Sequence, residues 1–217
     1  MALDKHINFF ELEKASEKPG CPLCKIIAKR AEQYLDNMLF EHVSDRPFRA
    51  KYRAAGGFCS FHSQGLESFR DGLAVAILGR DILEDRLEVF ERGKPWAPRG
   101  MCPVCEERDR IEEEYLSFLA GSGGNSKEEE ELRRIFSSSD GLCAPHFSAL
   151  LFTPKGKNRR PPVWIKQFHQ MKFRELRARV DQFIELSAYG RQDEFARLNE
   201  KDQVVWKELA LILRGEN

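Results

Sequence analysis

The chain places all six of its cysteines in one pattern that occurs twice. A C-P-x-C tetrad spans Cys21 to Cys24, and a C-x-x-H motif spans Cys59 to His62. The same two motifs return at Cys102 to Cys105 and at Cys143 to His146. The tetrads are 81 residues apart and the C-x-x-H motifs 84 residues apart. This regularity predicts an internal duplication.

Each motif offers half of a metal site. Residues three apart on a helix project from the same face, so each motif aims two side chains in one direction. Three thiolates and one imidazole form a tetrahedral set suited to Zn²⁺. We expect each tetrad to join the C-x-x-H motif that follows it, which gives two zinc ions per chain. The predicted sets are Cys21, Cys24, Cys59 and His62, and Cys102, Cys105, Cys143 and His146.

Both tetrads carry proline after the first cysteine, a residue that the first turn of a helix accepts. The unpaired amides at a helix start favour a thiolate. Each site would therefore fix one helix start to another. Because structural zinc contributes about 10–16 kcal/mol in small fingers, loss of one site could unfold its half of the chain.

Other uses of the same cysteines remain open. An iron–sulfur cluster can accept Cys₃His ligation, although clusters more often take four cysteines. The C-P-x-C tetrad also resembles the active site of glutaredoxins, where a low-pKa thiolate attacks disulfides. That fold needs a strand directly before the tetrad, and the segment FELEKASEKPG is polar and helix-like. The cysteines could also be small buried apolar residues, or their zinc could be released by oxidation.

Composition favours a water-soluble chain without a strong electrostatic bias. Thirty-five basic residues balance thirty-five acidic ones, so no global field draws the chain to nucleic acid or to an anionic membrane. The first ten residues, MALDKHINFF, do not form a signal peptide, and no apolar run is long enough to span a bilayer. We expect a cytoplasmic location, where thiols stay reduced.

Apolar residues recur at intervals of three and four almost throughout, and no alternating strand is evident, which predicts an all-α fold. We expect two pseudo-repeated helical units at 1–92 and 101–189 and a C-terminal helix within 190–217 that packs on the core, and the whole chain could also fold as one domain. The segment GKPWAPRG at 93–100 is the predicted boundary. One long predicted helix, from about Asp71 to Glu91, carries apolar side chains at Leu73, Ile77, Leu78, Ile82, Leu83, Leu87 and Phe90.

The sequence gives no sign of catalysis. It contains no H-E-x-x-H motif and no glycine-rich phosphate loop, and a closed four-ligand zinc site leaves no position for substrate. His6, His42 and His169 are predicted to lie at the core edge or the surface and not to bind metal. The basic loop at 155–160 is a candidate nucleic-acid contact, which Arg133, Arg134, Arg174, Arg177 and Arg179 could extend.

With these motifs in place, the chain resembles a family of uncharacterised bacterial proteins of similar length. The resemblance rests on CPLC, GFCSFH, CPVC, GLCAPH and the tail VVWKELALILRG. It implies an architecture and a ligand set but no reaction. We therefore expect a zinc-binding helical protein that binds or regulates a macromolecular partner. Thiol redox chemistry and nucleic-acid binding are the alternatives, and homodimerisation is a further possibility.

Overall fold

The computed structural model describes residues 7–68, 71–122, 126–152 and 160–215. Within these ranges the chain forms helices and no strand, as predicted. No helix in these ranges has the length and apolar character needed to cross a lipid bilayer. The helices are α1 Ile7–Ser16, α2 Pro22–Glu41, α3 Arg46–Ala55, α4 Ser60–Gln64, α5 Gly72–Glu91, α6 Pro103–Gly121, α7 Ser126–Ser137, α8 Ala144–Leu151, α9 Val163–Leu186, α10 Gln192–Phe195, α11 Glu200–Gln203 and α12 Val205–Arg214.

The chain divides into two compact units. Unit 1 joins the residues up to Ile26 to those from Glu113 onward, and unit 2 is Ile27–Glu112. These units do not follow the predicted ranges 1–92, 101–189 and 190–217. Their limits fall inside α2 and inside α6, so each of these helices contributes its first turns to one unit and its remainder to the other.

Unit 1 buries apolar side chains from both of its chain segments. Leu12 of α1 is fully buried, as are Tyr115 and Leu119 of α6. The ring of Phe136 in α7 makes edge contacts with the rings of Trp164 and Phe168 of α9. A smaller cluster joins α9 to α12 through Leu176, Val205 and Ile212. Burial of this apolar surface supplies the main driving force for packing.

Unit 2 forms its core from α2, α3 and α5 together with the start of α6. The buried side chains in this core are Ala31, Leu35, Met38, Leu39, Val43, Phe48, Tyr52, Ala74, Leu78, Ile82, Cys102 and Val104. Asp81 of α5 is also buried, and it accepts two hydrogen bonds from the Arg49 guanidinium of α3. The hydrogen bonds from Arg49 lower the pKa of Asp81, so the carboxylate stays charged inside the unit.

The predicted boundary at 93–100 is a packed part of unit 2. The Trp96 ring occupies the space that a side chain on Gly56 would need, and Arg86 lies over this ring, 4.7 Å from its centroid. The Arg99 amide donates to the Ala54 carbonyl at 2.7 Å. Proline and glycine indicated a break in helix here correctly, but the segment is held by contacts and is not a linker.

Candidate metal centres

The first cluster, site 1, lies within unit 1. Cys21 precedes α2 and Cys24 lies in its first turn, while Cys143 and His146 lie at the start of α8. The Nδ1 atom of His146 is 3.4 Å from Cys21 Sγ, 3.4 Å from Cys24 Sγ and 3.2 Å from Cys143 Sγ. The sulfurs of Cys24 and Cys143 are 3.7 Å apart. In site 1, the start of α2 thus lies next to the start of α8.

The second cluster, site 2, lies within unit 2. Its members are Cys59 and His62 at the start of α4 and Cys102 and Cys105 at the start of α6. The Nδ1 atom of His62 is 3.3 Å from Cys59 Sγ, 3.5 Å from Cys102 Sγ and 3.4 Å from Cys105 Sγ. Cys59 and Cys105 have their sulfurs 3.7 Å apart. In each cluster all four atoms lie within 4.8 Å of one another.

The predicted pairing of the motifs is wrong. All eight predicted side chains belong to one of the two clusters, but each tetrad joins the C-x-x-H motif of the other half of the sequence. Cys21 and Cys24 join Cys143 and His146, and Cys102 and Cys105 join Cys59 and His62. The two motifs have the same local chemistry in both halves, so the packing of distant helices decides the pairing.

The two C-x-x-H motifs have matching backbone geometry. Cys59 is the N-cap residue of α4 with φ −66° and ψ 167°, and Cys143 is the N-cap residue of α8 with φ −64° and ψ 165°. Two residues earlier, Gly57 and Gly141 have φ of +96° and +81°. This left-handed conformation favours glycine. The glycine turns the chain so that the cysteine begins a helix with its sulfur directed into the cluster.

His169 supports the loop that carries Cys143, although it is not a cluster member. Its Nε2 accepts a hydrogen bond from the Leu142 amide at 2.8 Å, and its Nδ1 donates to the Ile165 carbonyl at 2.8 Å. The ring stacks on Phe147 with centroids 4.5 Å apart. The side chain is fully buried, so its predicted position at the core edge or surface is wrong. Burial lowers the pKa of His169 to about 4, which keeps the ring neutral.

Gly215, directly after α12, closes site 1. A Cβ atom added at this glycine would lie 3.4 Å from Cys143 Sγ and 3.5 Å from Cys24 Sγ. The residue is buried, with φ +77° and ψ 173°, a combination that only glycine adopts readily. The backbone of the C-terminal segment therefore covers two of the site 1 sulfurs. No local motif in the sequence marks this contact.

Site 2 is more open. Cys59 and Cys105 are half-buried, whereas the three cysteines of site 1 are buried. Burial alone raises the pKa of Cys59, but hydrogen bonds from backbone amides and neighbouring sulfurs lower it overall. The amides at the start of α4 thus stabilise a thiolate. Within the described part of the chain, the buried Nε2 atom of His62 has no hydrogen-bond partner.

The two histidines differ in their electrostatic surroundings. Burial alone lowers the pKa of His146, but hydrogen bonds with the three cysteine sulfurs raise it to about 12. The pKa of His62 is instead lowered by burial and by the positive charge of Arg108. Arg108 lies over the Phe61 ring, 5.8 Å from its centroid.

A cavity of about 520 Å³ adjoins site 1. It lies between the loop before Cys21, the loop before Cys143 and residues of α11 and α12. The Gly20 amide donates to Asp140 at 2.8 Å on its wall. Its lining residues include Pro19, Cys21, Cys143, Val204 and Leu211. Cys21 and Cys143 of site 1 thus form part of the cavity wall.

The predicted basic surface has limited support. Lys155, Lys157 and Arg159 lie outside the described residues, and Arg160 is exposed. Of the arginines that could extend the patch, four have carboxylate partners: Arg133 with Glu129, Arg134 with Glu131, Arg177 with Asp181 and Arg179 with Asp202. Their charge is largely neutralised locally, which weakens a phosphate-binding role. His6 also lies outside the described residues.

The sequence is similar to an uncharacterised 23.9 kDa protein in the xynA 3′ region of Caldicellulosiruptor sp. (strain Rt8B.4). The two are 32% identical over 136 residues, which is 60% of this chain and 65% of the relative. The match thus spans a little less than two thirds of the relative's length. No family model matches the sequence, and no solved structure matches it. The similarity is consistent with an uncharacterised bacterial family and assigns no activity.

Proposed function

We propose that the protein binds two zinc ions, one in each Cys₃His cluster, and that both ions are structural. The observation that carries this proposal is the spacing of the ligand atoms. Bond lengths of about 2.3 Å for Zn–S and 2.0–2.1 Å for Zn–N give tetrahedral edges of about 3.8 Å for S···S and about 3.6 Å for S···N. Each cluster has one S···S pair at 3.7 Å, S···N distances of 3.2–3.5 Å, and all four ligand atoms within 4.8 Å of one another.

The same spacing argues against other uses of the sulfurs. A disulfide joins its sulfurs at about 2.05 Å, and none of the six cysteines forms one. The ligands of a four-iron cluster bind different iron atoms and lie much farther apart than 3.7 Å. A glutaredoxin-like site needs a strand before the tetrad, but α1 and a short loop precede Cys21. A single thiophilic ion fits each cluster best.

The proposed biological role is binding or regulation without catalysis. Four protein ligands complete the coordination shell of zinc, so no position remains for a reacting water or substrate. The reduced cysteines suit the cytoplasm, which we include in the proposal. The chain would belong to a family of uncharacterised bacterial proteins that uses paired zinc sites to hold a helical scaffold for a macromolecular partner.

Metal analysis of double variants tests both the ligands and their pairing. Purified wild-type protein should contain about two zinc ions per chain and show no visible absorption. Cys24→Ser combined with Cys143→Ser damages site 1 alone, so one ion should remain. Cys24→Ser combined with Cys59→Ser damages both sites, so no ion should remain.

Pairing within each half of the sequence predicts the opposite result for these two variants. His42→Ala serves as a control, because His42 lies outside both clusters and its loss should leave both ions bound. Two ions in every variant would contradict the proposed ligand set. A coloured protein with iron would contradict zinc while preserving the sites.

A zinc-based redox sensor is a second candidate function, and the half-buried sulfurs of Cys59 and Cys105 favour it. Oxidation of zinc-bound thiolates requires access of the oxidant to sulfur. Under this candidate, mild peroxide should release one zinc ion per chain from site 2 and leave site 1 loaded. Retention of both ions under the same conditions would favour a purely structural role.

A further inference from the structure

Helix α5 carries an apolar stripe on its exposed surface. Leu73, Leu83, Leu87 and Phe90 expose 73%, 58%, 50% and 60% of their surface. The opposite face of α5 carries the buried residues Ala74, Leu78, Asp81 and Ile82. The helix is therefore apolar on two faces, of which one is used by the core of unit 2. Large apolar residues in one exposed row indicate a contact surface.

The stripe follows the spacing of a coiled-coil seam. Positions 73, 76, 80, 83, 87 and 90 are separated alternately by three and four residues, and they hold Leu, Ala, Arg, Leu, Leu and Phe. This is the a/d order of almost three heptads. An amphipathic helix that packs on its own core needs one such row. The second row on α5 requires another occupant.

We propose that this occupant is α5 of a second copy of the chain, packed antiparallel about a two-fold axis. In that register Leu73 faces Phe90 of the second copy. Ala76 faces Leu87, and Arg80 faces Leu83. Every layer then combines an a position with a d position, and the small Ala76 accommodates the larger Leu87. A symmetric interface uses the same patch twice, as this row allows.

Charge complementarity selects the antiparallel arrangement. A parallel pair would place Arg80 against Arg80 of the second copy near the centre of the seam, where like charges repel. The antiparallel pair places Arg80 beside Leu83 and Glu84 of the second copy. Arg80 and Glu84 already form an ion pair along α5, with Nε and Oε1 3.6 Å apart. Two such pairs would form an alternating ring of four charges on the two-fold axis.

The size of the stripe is sufficient for a specific though modest interface. Burial of the four large side chains in both copies would remove about 1,000 Å² from water, near the lower limit of specific interfaces. Ala76 and the aliphatic stem of Arg80 add to this area. Helix α5 spans about 30 Å, which is long enough for all of these layers.

Sedimentation and light scattering of full-length protein at about 100 µM test the proposal. Wild type should be a dimer, and Leu83→Glu or Leu87→Glu should give a monomer. These variants should retain their helical circular dichroism and their zinc content, which separates this proposal from that of the metal sites. Ile184→Glu is a matched control, because Ile184 is an equally exposed apolar residue on α9. It should remain dimeric.

A mixing experiment tests the register. R80E and E84R each create repulsion across the proposed axis, so each alone should be largely monomeric. Mixed in equal amounts, they should form a heterodimer, because opposite charges then meet between the copies. A wild type that stays monomeric at about 100 µM, a Leu83→Glu variant that stays dimeric, or the absence of heterodimer would each overturn the proposal.

Discussion

The two clusters have the same ligands and nearly the same interatomic distances, but the protein around them differs. In site 1 the three sulfurs are buried, and the backbone at Gly215 covers two of them. In site 2, Cys59 and Cys105 are partly open to solvent. His169 holds the loop before Cys143 through a hydrogen bond to Leu142. The Nε2 atom of the ligand-type histidine of site 2, His62, has no partner among the described residues.

This difference teaches that ligand identity alone does not set how firmly a metal is held. Surrounding hydrogen bonds orient the ligands, and a closed shell keeps out water and competing thiols. The sulfurs of site 1 are more deeply buried than Cys59 and Cys105 of site 2, and His169 supports the loop before Cys143. We therefore expect site 1 to release its metal ion slowly and site 2 to release its metal ion first. The four predictions below test this contrast.

The largest effect should come from removal of a single ligand, made separately in site 1 and in site 2. Because structural zinc contributes about 10–16 kcal/mol and a domain is stable by about 5–15 kcal/mol, loss of an ion should unfold the unit that holds it. Cys143→Ser should expose the amides of residues 7–26 and 113–215 to hydrogen exchange. Cys59→Ser should expose residues 27–112. Equal loss of protection in both units from either variant would contradict independent sites.

Gly215→Ala should weaken site 1 by about 2 kcal/mol, because alanine is strained at this φ and ψ. Its Cβ atom would also contact two sulfurs, at 3.4 and 3.5 Å. Zinc competition assays should show about a 30-fold lower affinity at one of the two sites. Gly190→Ala is the matched control, since Gly190 also has positive φ but has open space around it. A change in zinc affinity in this control would indicate that backbone strain alone is responsible.

Site 2 should lose its metal to a strong chelator about ten times faster than site 1, which corresponds to about 1.4 kcal/mol in activation free energy. Alkylation during chelation, followed by peptide mass spectrometry, identifies the order. Cys59 and Cys105 should be labelled before Cys21, Cys24 and Cys143. Faster labelling of the site 1 cysteines would reverse the comparison.

The smallest effect concerns pH and unit 1. His169 has a pKa of about 4 in the folded protein, below the value of about 6.5 for an unfolded histidine. The unfolded chain therefore binds more protons between these values, and stability falls as pH decreases through this window. Between pH 7 and pH 5.5 the loss should be about 1.2 kcal/mol.

Urea unfolding of wild type and His169→Gln at these two pH values isolates the contribution of His169. Acid release of metal affects both proteins and cancels in the difference. Wild type should lose about 1.2 kcal/mol more than the variant. Equal losses would show that His169 does not titrate as its burial implies.

The local features of the fold and of the sites followed from the sequence. The long helix predicted from about Asp71 to Glu91 corresponds to α5, Gly72–Glu91, and the cysteine and histidine spacing predicted all eight cluster members. The pairing of the C-P-x-C tetrads with the C-x-x-H motifs did not follow from the sequence. A loop from Cys24 to Cys59 is about a third as long as the 119-residue separation between Cys24 and Cys143, but this difference costs only about 1 kcal/mol in closure entropy. The free energy of helix packing is larger than this difference in closure entropy.

Patterns in the sequence also did not predict the long-range contacts. Gly215 is the last residue of the tail VVWKELALILRG, but that tail does not indicate a metal site. The contact of Gly215 with two sulfurs depends on how α12 packs in unit 1. No pattern in the sequence indicated that His169 would accept a hydrogen bond from the Leu142 amide. Similarly, the apolar positions predicted for α5 did not indicate that Leu78 would be buried and Leu83 exposed.

The exchanged pairing has a consequence for how the chain is made. Cys21 and Cys24 are synthesised first, but their partners Cys143 and His146 follow 119 to 125 residues later. At 5–20 residues per second, translation takes about 6–24 s to cover that distance. Meanwhile Cys59 and His62 emerge and offer the early thiols a complete but incorrect coordination shell. A growing chain that binds zinc before Cys143 and His146 are synthesised must release it before the final structure can form.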